Sequence, residues 1–352
     1  MTIAYEFTTI DTTWSEVCRV DELEPMWAEA ALVHGRQVAV VRLADERLFA
    51  FSNLDPATGS SVMARGIVGS RAGRPTIASP LHKDVYDLET GECYTDPVRR
   101  LPVWRCRSAD GIVSVAAARS LVAASHGTND PAGRRAVAAL VQAVRDVRPD
   151  LAVYDAFVDV QEPDVRETIS GIRHDQEVTI VPLLLSAGYH VKVDLAAAAD
   201  PKGAVGVTAA LGPDARLVAL LARRLHEAGL RDGDRVVLAA AGSSDPSAVA
   251  DCHVMGHLLA AQLRRPVAVS FISAAEPRVP EAVASMRAAG SGRVAVASYL
   301  LAPGYFATLA ASAGADLTSA PLLADGSEPP RELVDIVVQL FDEAGTRPIP
   351  AP

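Results

Sequence analysis

The sequence predicts two domains of different fold class: an all-β domain over residues 1–117 and a larger α/β domain over residues 118–344, followed by a tail over 345–352. The length of 352 residues exceeds that of one average domain. Short β-branched and aromatic runs, separated by Gly, Pro and Asp, fill the first region. Beyond residue 118, apolar strands alternate with Ala-rich helical patterns, which is typical of βαβ units around a parallel sheet.

The first region contains a predicted β-hairpin. Gln37–Leu43 and Arg47–Phe51 are rich in apolar residues, and a short polar segment separates them. The further predicted strands are Thr76–Ala78, Val85–Leu88, Val103–Cys106 and Ile112–Val115. Only Trp14–Leu23 and Pro25–Ala31 show a helical pattern, so we expect a β domain with helical structure confined to its start.

The second region opens with a strand and a helix. Leu121–Ser125 predicts a buried strand, Asp130 can cap the helix that follows, and Pro131 suits its first position. Apolar side chains then recur at helical spacing, at Val137, Leu140, Val141 and Val144. Two further strands are predicted over Leu151–Val160 and Val178–Leu185.

The second region also contains an internal repeat. Its first half contains Ser125–Pro131, the pair Glu162-Pro163 and Leu184–His190. Similar segments recur in the second half in the same order, as Ala240–Pro246, Glu276-Pro277 and Leu300–Phe306. The spacing is about 115 residues in each case. We therefore predict two duplicated α/β lobes with parallel sheets, lobe one over about 119–233 and lobe two over about 234–344.

The two lobes differ where chemistry would occur. Lobe one has His126 and His190 at positions where lobe two has Ala241 and Phe306. Both histidines follow predicted strands, and α/β sheets bind their ligands beyond the carboxyl ends of the strands. The second lobe therefore serves as an internal control, and we predict that His126 and His190 form the functional site.

Two imidazoles at one sheet edge suit metal chemistry, because neutral imidazole binds borderline divalent metals and accepts protons near neutral pH. Glu162, at the end of a predicted strand, is the candidate for a third catalytic and metal-binding residue. An acid at a helix N-terminus is the alternative interpretation of Glu162, and Asp159 is the second candidate for the carboxylate. The histidines that we interpret as structural are His174, His226, His253 and His257.

Bulk properties exclude several classes of function. A net charge of −10 argues against sequence-independent binding of nucleic acid. The cysteines form no Cys-x-x-Cys pair, so we expect free thiols in a reducing cytosol; they are Cys18, Cys93, Cys106 and Cys252. We find neither a targeting segment nor an apolar run long enough to span a membrane, and we predict a cytoplasmic protein.

The second region resembles a known family through Ser125–Pro131, Val181–His190 and the degenerate second copy. These motifs are similar to those of the sirohydrochlorin chelatases of the class II group, over residues 119 to about 340. The resemblance implies a bilobal, flavodoxin-like fold, no organic cofactor, and a lyase that inserts Fe²⁺ or Co²⁺ into sirohydrochlorin in sirohaem or cobalamin biosynthesis. It implies metal-ligand or base roles for His126 and His190. Because sirohydrochlorin bears many carboxylates, Arg173, His174 and Lys192 are candidates for binding them.

The first region resembles a Rieske domain that lacks its metal ligands. Rieske domains hold a [2Fe–2S] centre with two Cys and two His on two hairpins. The corresponding segments are Asn53–Pro56 and Ser79–Lys83, in which only His82 remains of the ligands. We therefore expect no iron–sulfur cluster.

The same segments, with Met63–Gly69 and Tyr86–Gly91, resemble the small subunit of assimilatory NADH-nitrite reductase over about residues 5–116. That resemblance implies a Rieske-like fold without a cluster and association with the large reductase subunit. We expect docking through the face that bears the two hairpins, with Asp55 and Lys83 as its charged residues.

The combined interpretation is a sirohydrochlorin chelatase fused to a nitrite reductase small-subunit-like domain. The alternative is an accessory or assembly subunit of NADH-nitrite reductase whose chelatase half is vestigial. A histidine phosphatase is a weaker alternative: His126-Gly127-Thr128 resembles its phosphohistidine loop, but Ser125 stands where the phosphate-binding arginine is needed. Imidazole and carboxylate donors suit both Fe²⁺ and Co²⁺.

Overall fold

The computed structural model describes residues 14–33, 35–117, 119–148, 151–172, 177–186, 188, 195 and 205–344. The described residues form two compact units, one within residues 14–117 and the other within residues 119–344. No helix of the described residues is both long and apolar enough to cross a membrane.

The first unit consists of two antiparallel sheets. The nine strands are β1 (Ser15–Arg19), β2 (Ala28–Val33), β3 (Arg36–Arg42), β4 (Leu48–Ser52), β5 (Ile67–Arg71), β6 (Arg74–Ala78), β7 (Val85–Asp87), β8 (Val103–Ala109) and β9 (Ile112–Ala116). Six strands form one sheet in the order β1-β9-β8-β4-β3-β2, and the other three form a sheet in the order β5-β6-β7. This architecture confirms the predicted all-β fold.

The helical prediction for the start of the chain was wrong. β1 lies within Trp14–Leu23 and pairs with β9, and only a single 3-10 turn, Val20–Glu22, follows it. β2 takes up much of Pro25–Ala31 and pairs with β3. Ala and Glu in β2 favour helices, but strand pairing outweighs that intrinsic preference because it satisfies the main chain and adds apolar contacts.

Strand β3 is buried on both of its faces. Ala39 and Val41 pack into one apolar cluster, with Phe51 and Tyr86, whereas Val38 and Val40 pack into another, around Trp104. Alternate residues of a strand point to opposite faces of the sheet. The central hairpin therefore links two cores, and it matches the hairpin predicted from the sequence.

The second unit contains two lobes of parallel sheet and helix, which confirms the predicted duplication. Lobe one has strands β10 (Arg119–Ser125), β11 (Ala152–Phe157), β12 (Glu177–Pro182) and β13 (Val205–Val207). Lobe two has strands β14 (Arg235–Ala240), β15 (Val267–Phe271), β16 (Val294–Tyr299) and β17 (Leu317–Thr318). The sheet orders are β11-β10-β12-β13 and β15-β14-β16-β17, so the two lobes share one topology.

Seven helices of the described residues cover these sheets: α1 (Pro131–Val147), α2 (Val165–Gly171), α3 (Ala215–Glu227), α4 (Pro246–Leu263), α5 (Val279–Ala288), α6 (Tyr305–Ala311) and α7 (Arg331–Ala344). As predicted, Asp130 caps α1 by accepting hydrogen bonds from two backbone amides, and Pro131 is the first helical residue. In lobe two, Asp245 caps α4 by accepting a hydrogen bond from the Ser247 amide, and Pro246 is the first helical residue.

The last helix of each lobe packs on the sheet of the other lobe. Helix α3 is the last helix of lobe one, yet it packs against β16 and α4 of lobe two. Helix α7 is the last helix of lobe two and packs against β12 and α1 of lobe one. Hydrogen bonds support the exchange: Arg224 donates to the Leu322 carbonyl at 3.0 Å, and Arg119 donates to the Phe341 carbonyl at 2.7 Å. One continuous apolar core therefore runs through both lobes.

Candidate active site

His126 is the first residue after β10, an inner strand of the lobe-one sheet. Ser125 before it is buried, whereas His126 itself is exposed. The imidazole Nδ1 lies 3.4 Å from the Gly127 carbonyl oxygen. Gly127 has a φ of +89°, and a Cβ atom there would collide with the Asp159 carbonyl. Only glycine fits this turn, which exposes an imidazole at the carboxyl end of a buried strand.

The loop after β11 lies directly beside the His126 loop. The Asp159 amide donates to the His126 carbonyl at 3.0 Å, and the Thr128 amide donates to the Gln161 side chain at 2.8 Å. A main-chain hydrogen bond thus holds Asp159 beside His126. The Asp159 carboxylate accepts a hydrogen bond from the Val160 amide. The second carboxylate candidate is therefore a direct neighbour of the histidine loop.

Glu162 is exposed in the same loop. Its carboxylate accepts a 3.1 Å hydrogen bond from the Asp164 amide, and Asp164 in turn caps α2. This contact corresponds to the alternative interpretation of Glu162 as an acid near a helix N-terminus. Among the described ranges of the chain, no three or more His, Cys, Asp or Glu side chains are arranged to hold a metal ion. A ligand role for Glu162 therefore stays a prediction.

Several predicted residues lie outside the described residues: His190, and with it Arg173, His174 and Lys192. The chain that leads towards His190 begins beside the His126 strand, because the Leu183 amide donates to the Ala124 carbonyl at 2.8 Å. β12 also pairs with β10 in parallel, so both strands end at one edge of the sheet.

The strand-end loops of the two lobes touch each other. A Cβ atom on Gly304 of lobe two would lie 3.5 Å from the Thr128 hydroxyl of lobe one. The reverse contact joins Gly188 of lobe one to Ser243 of lobe two, at 3.3 Å for the same construction. The corresponding loops therefore meet reciprocally, and the His126 loop faces lobe two rather than open solvent alone.

Lobe two repeats the loop skeleton around His126 without the imidazole. Ala241 stands at the equivalent position, and its carbonyl accepts a 2.9 Å hydrogen bond from Ser273, as that of His126 does from Asp159. Gly242 has a φ of +90° and lies against the Ser273 carbonyl. The scaffold is conserved between the lobes, and the side-chain chemistry is not.

The other described histidines of this unit lie on helices. His226 in α3 contacts the Ala222 carbonyl at 2.6 Å, and the ring of His253 in α4 packs edge-on against Phe271. His257 is exposed on α4. The contacts of His226 and His253 are those of structural residues.

In the β unit, the positions of the missing cluster ligands form a buried polar network. The Ser79 hydroxyl donates to the Asp55 carboxylate, which joins the two hairpins, and Asp55 also accepts from the Ala57 amide at 2.7 Å. Asn53 donates to Gln37 at 2.8 Å and accepts from the Ala64 amide at 2.8 Å. Hydrogen bonds thus connect the hairpin positions that a cluster would otherwise bridge.

This network corrects the expected docking face. Asp55 is only 1% exposed, so it is not a surface charge. The exposed groups at the two hairpins are Leu54, Leu81, His82 and Lys83. The sequence did not predict the burial of Asp55, because this residue precedes a proline in a polar loop. The available signal was that each position of a missing cluster ligand carries a polar residue, as an inward-facing position with hydrogen-bond partners can.

Comparison with known proteins assigns each unit to a family. A model of the Rieske-like [2Fe-2S] domain matches residues 13–116, and the CbiX model matches residues 120–228 and 235–310. The NADH nitrite reductase small subunit of Escherichia coli K12 is 34% identical over 103 residues, which are 29% of this chain and 95% of the relative.

The second unit has its own relatives. The sirohydrochlorin cobaltochelatase of Priestia megaterium is 24% identical over 202 residues, covering 53% of this chain and 65% of the relative. The structure of SirB from Bacillus subtilis with Fe³⁺ matches 65% of this chain and 96% of its own, at a TM-score of 0.50 and 20% identity. That structural match shows a shared fold.

Proposed function

Because the chain belongs to the CbiX family in its second unit and to the nitrite reductase small-subunit family in its first, we propose that it is a chelatase that inserts a divalent metal ion into sirohydrochlorin. The observation that carries the proposal is His126, an exposed imidazole at a strand end in the one lobe of two that has it. The relative named as a cobaltochelatase supports the reaction class.

The reaction exchanges protons for a metal ion. The metal-free macrocycle gives up both pyrrole N–H protons, and the divalent ion takes their place among the four nitrogens, so charge balances. Neutral imidazole suits both tasks, since it can hold the ion before transfer and accept a released proton. We assign these tasks to His126 and His190, and we assign a carboxylate that orients the ion to Glu162 or to Asp159.

The substrate ion is Fe²⁺ or Co²⁺, since imidazole and carboxylate suit both ions. Anaerobic assays of the purified full chain with each ion in turn will decide between them. The absorption change of the macrocycle measures insertion directly.

His126→Ala and His190→Ala test the assignment. Each should lower the rate of metal insertion at saturating macrocycle by about a hundredfold or more, which is the typical effect of removing a general base. His257→Ala, an exposed histidine on α4 away from the strand ends, is the matched control and should keep the wild-type rate. Wild-type rates in both site variants would refute the proposal.

The carboxylate is assigned by a second pair of variants. Glu162→Gln and Asp159→Asn preserve the size of the side chain and remove its charge. Only the variant that changes the metal-binding carboxylate should weaken the apparent affinity for metal. Glu162 already accepts a hydrogen bond from Asp164, and Asp159 accepts one from Val160, so either amide can keep its local contact.

For the first unit we propose docking to a nitrite reductase large subunit. Leu54 and Leu81 are 47% and 50% exposed, and they lie on the two hairpins that Asp55 and Ser79 join. A pair of apolar side chains held on a rigid frame suits a protein interface.

The docking proposal is tested with the full chain and a purified large subunit. Leu54→Ala with Leu81→Ala should weaken binding at least tenfold, while Val98→Ala, also exposed, should not. Binding that both variants retain equally would refute this face. Binding by a wild-type chain that inserts no metal would instead favour the accessory-subunit alternative.

A further inference from the structure

Two aromatic side chains are exposed at the start of α6 in lobe two. Tyr305 is 72% exposed and Phe306 is 37% exposed. Their ring centroids lie 6.2 Å apart, with the planes tilted by 48°. Large aromatic groups bury much apolar area when they find a partner, so exposed neighbours of this kind can bind a flat apolar ligand.

The aromatic pair lies beside the His126 loop. Gly304, the residue before Tyr305, faces Thr128 and Asp130. The Pro303 carbonyl packs so closely on Gly133 that a Cβ atom there would collide with it. The first turn of α6 therefore continues directly from a loop in contact with the segment that carries His126.

The pair also occupies an informative place in the duplicated unit. Phe306 stands where lobe one has His190, and Tyr305 stands where it has Tyr189. Lobe two thus replaces an imidazole with a phenyl ring that remains partly exposed. A purely structural replacement would be expected to bury that ring, since exposure forgoes the stabilisation from removing apolar surface from water.

A cationic side chain lies at the same junction. Arg134, in the first turn of α1, donates to the Thr128 carbonyl at 2.7 Å and to the Asn129 side chain at 3.2 Å. Its neighbour Gly133 contacts Pro303 of lobe two. Aromatic side chains and a guanidinium on the two segments that meet here are the groups that a flat macrocycle with carboxylate substituents requires.

We propose that Tyr305 and Phe306 bind one face of the metal-free tetrapyrrole, so that lobe two supplies the surface for the macrocycle and lobe one supplies the imidazoles for the metal. This assignment rests on the proposed function and adds to it which residues recognise the organic substrate. The pair would hold the ring where the strand-end loops of the two lobes meet.

The experiment measures macrocycle binding without metal. The purified full chain is titrated with metal-free sirohydrochlorin under anaerobic conditions, and fluorescence or absorption reports the dissociation constant. Tyr305→Ala with Phe306→Ala should raise that constant by about tenfold or more, in proportion to lost aromatic contact. Phe306→Ala alone should also weaken binding, whereas Phe306→Trp should keep it, because the indole preserves a flat aromatic surface.

Matched controls separate this role from the metal site. Leu258→Ala removes an exposed apolar side chain from α4 and should leave macrocycle affinity unchanged. Co²⁺ titration without macrocycle should give the same affinity in the aromatic double variant as in the wild type. His257→Ala, which changes an exposed histidine on α4 outside the proposed site, should bind the macrocycle within about twofold of the wild type.

Unchanged macrocycle affinity in the double variant would overturn this inference while leaving the chelatase proposal intact. Absence of macrocycle binding by the wild type would overturn both. Equal weakening by Leu258→Ala would show that the effect is not local to the aromatic pair and would also overturn it.

Discussion

The β unit lacks the cluster ligands of a Rieske domain, and lobe two lacks the histidines of lobe one, but the two regions differ in which residues stand at those positions. At the hairpins of the β unit the replacements are Asn53, Asp55 and Ser79, all buried and hydrogen-bonded. In lobe two the replacements are Ala241 and Phe306, which are less buried and apolar. One set is part of an interior, and the other lies partly exposed after the strand ends of lobe two.

The difference reflects where each site lies. Buried polar groups need hydrogen-bond partners, so residues at an interior position must satisfy one another once no metal centre is there. A partly exposed position carries no such requirement, and a small or apolar side chain can stand there. The β unit therefore depends for its stability on the residues that stand at the ligand positions. In lobe two, substitution of Ala241 or Phe306 should have little effect on folding.

The strongest test of this comparison is Asp55→Ala. The change leaves the Ser79 hydroxyl buried without its acceptor and removes the hydrogen bond to the Ala57 amide. We expect the β unit to lose about 2–4 kcal/mol of unfolding free energy. Tryptophan fluorescence during denaturation measures this unit alone, because all three tryptophans, Trp14, Trp27 and Trp104, precede residue 118.

The control for that measurement is Asp45→Ala, an exposed aspartate whose contact is with Arg47 in the same turn. It should change stability by less than about 0.5 kcal/mol. If both variants unfold at the wild-type denaturant concentration, the buried network does not hold the hairpins together.

A smaller effect is expected for Asp87→Asn, also in the β unit. Burial acts to raise the pKa of Asp87, but hydrogen bonds from Arg74 and Tyr94 outweigh it and hold the pKa well below its usual range. The variant should cost about 1.5–3 kcal/mol near neutral pH, the scale for hydrogen bonds to a charged group.

The contribution of Asp87 to the unfolding free energy should depend on pH. Because the folded pKa lies below the unfolded value of about 4, the stabilisation is fully present above about pH 4 and is lost as the pH falls towards the folded pKa. Denaturation of the wild type followed by tryptophan fluorescence should therefore show stability falling below that pH. A flatter curve is expected for Asp87→Asn, and parallel curves would contradict the assignment.

Almost no effect is expected when an imidazole is restored to lobe two. Ala241→His should leave the rate of metal insertion within about twofold of the wild type, because Phe306 still stands at the other position. Metal titration of the wild type should give one site per chain. Two sites in the wild type, one of them lost on mutation of lobe two alone, would contradict the asymmetry of the lobes.

No effect at all is expected from iron and sulfide supplied during production. Three of the four ligand positions carry Asn53, Asp55 and Ser79, and these residues already bond to other groups. The full chain should show neither the visible absorption nor the reduced paramagnetic signal of a [2Fe–2S] centre. A stoichiometric cluster would show that the hairpins were misassigned.

The sequence was sufficient for much of this architecture. Hydrophobic runs located the hairpin of Gln37–Leu43 with Arg47–Phe51 and three parallel strands of lobe one, and the cap residues located the start of α1. Local pattern failed for β1 and β2, because edge pairing with β9 and β3 outweighs their helical tendency.

The candidate site was predictable only in part. Its position at a strand end identified His126. The partners of a carboxylate depend on loop geometry, which the sequence does not give, and Glu162 accepts a hydrogen bond from Asp164 in its own loop. The sequence pattern also did not show that the loop before Tyr305 and Phe306 contacts the His126 loop, because residues so far apart in sequence meet only where the two lobes contact each other. Spacing along the chain carries no information on which sheet a helix covers, so the exchange of α3 and α7 was not foreseen.

That exchange bears on how such a molecule can arise and be divided. A single copy of the repeat, produced alone, would consist of one sheet and its helices, and the apolar face of its last helix would be exposed to water. In this chain Leu217, Leu220 and Leu221 of α3 are fully buried, and α3 packs on lobe two. Two separate copies could hide these surfaces by trading helices, as partners in a symmetric dimer do. Joining such partners in one polypeptide removes the need for identical halves, and each half becomes free to specialise.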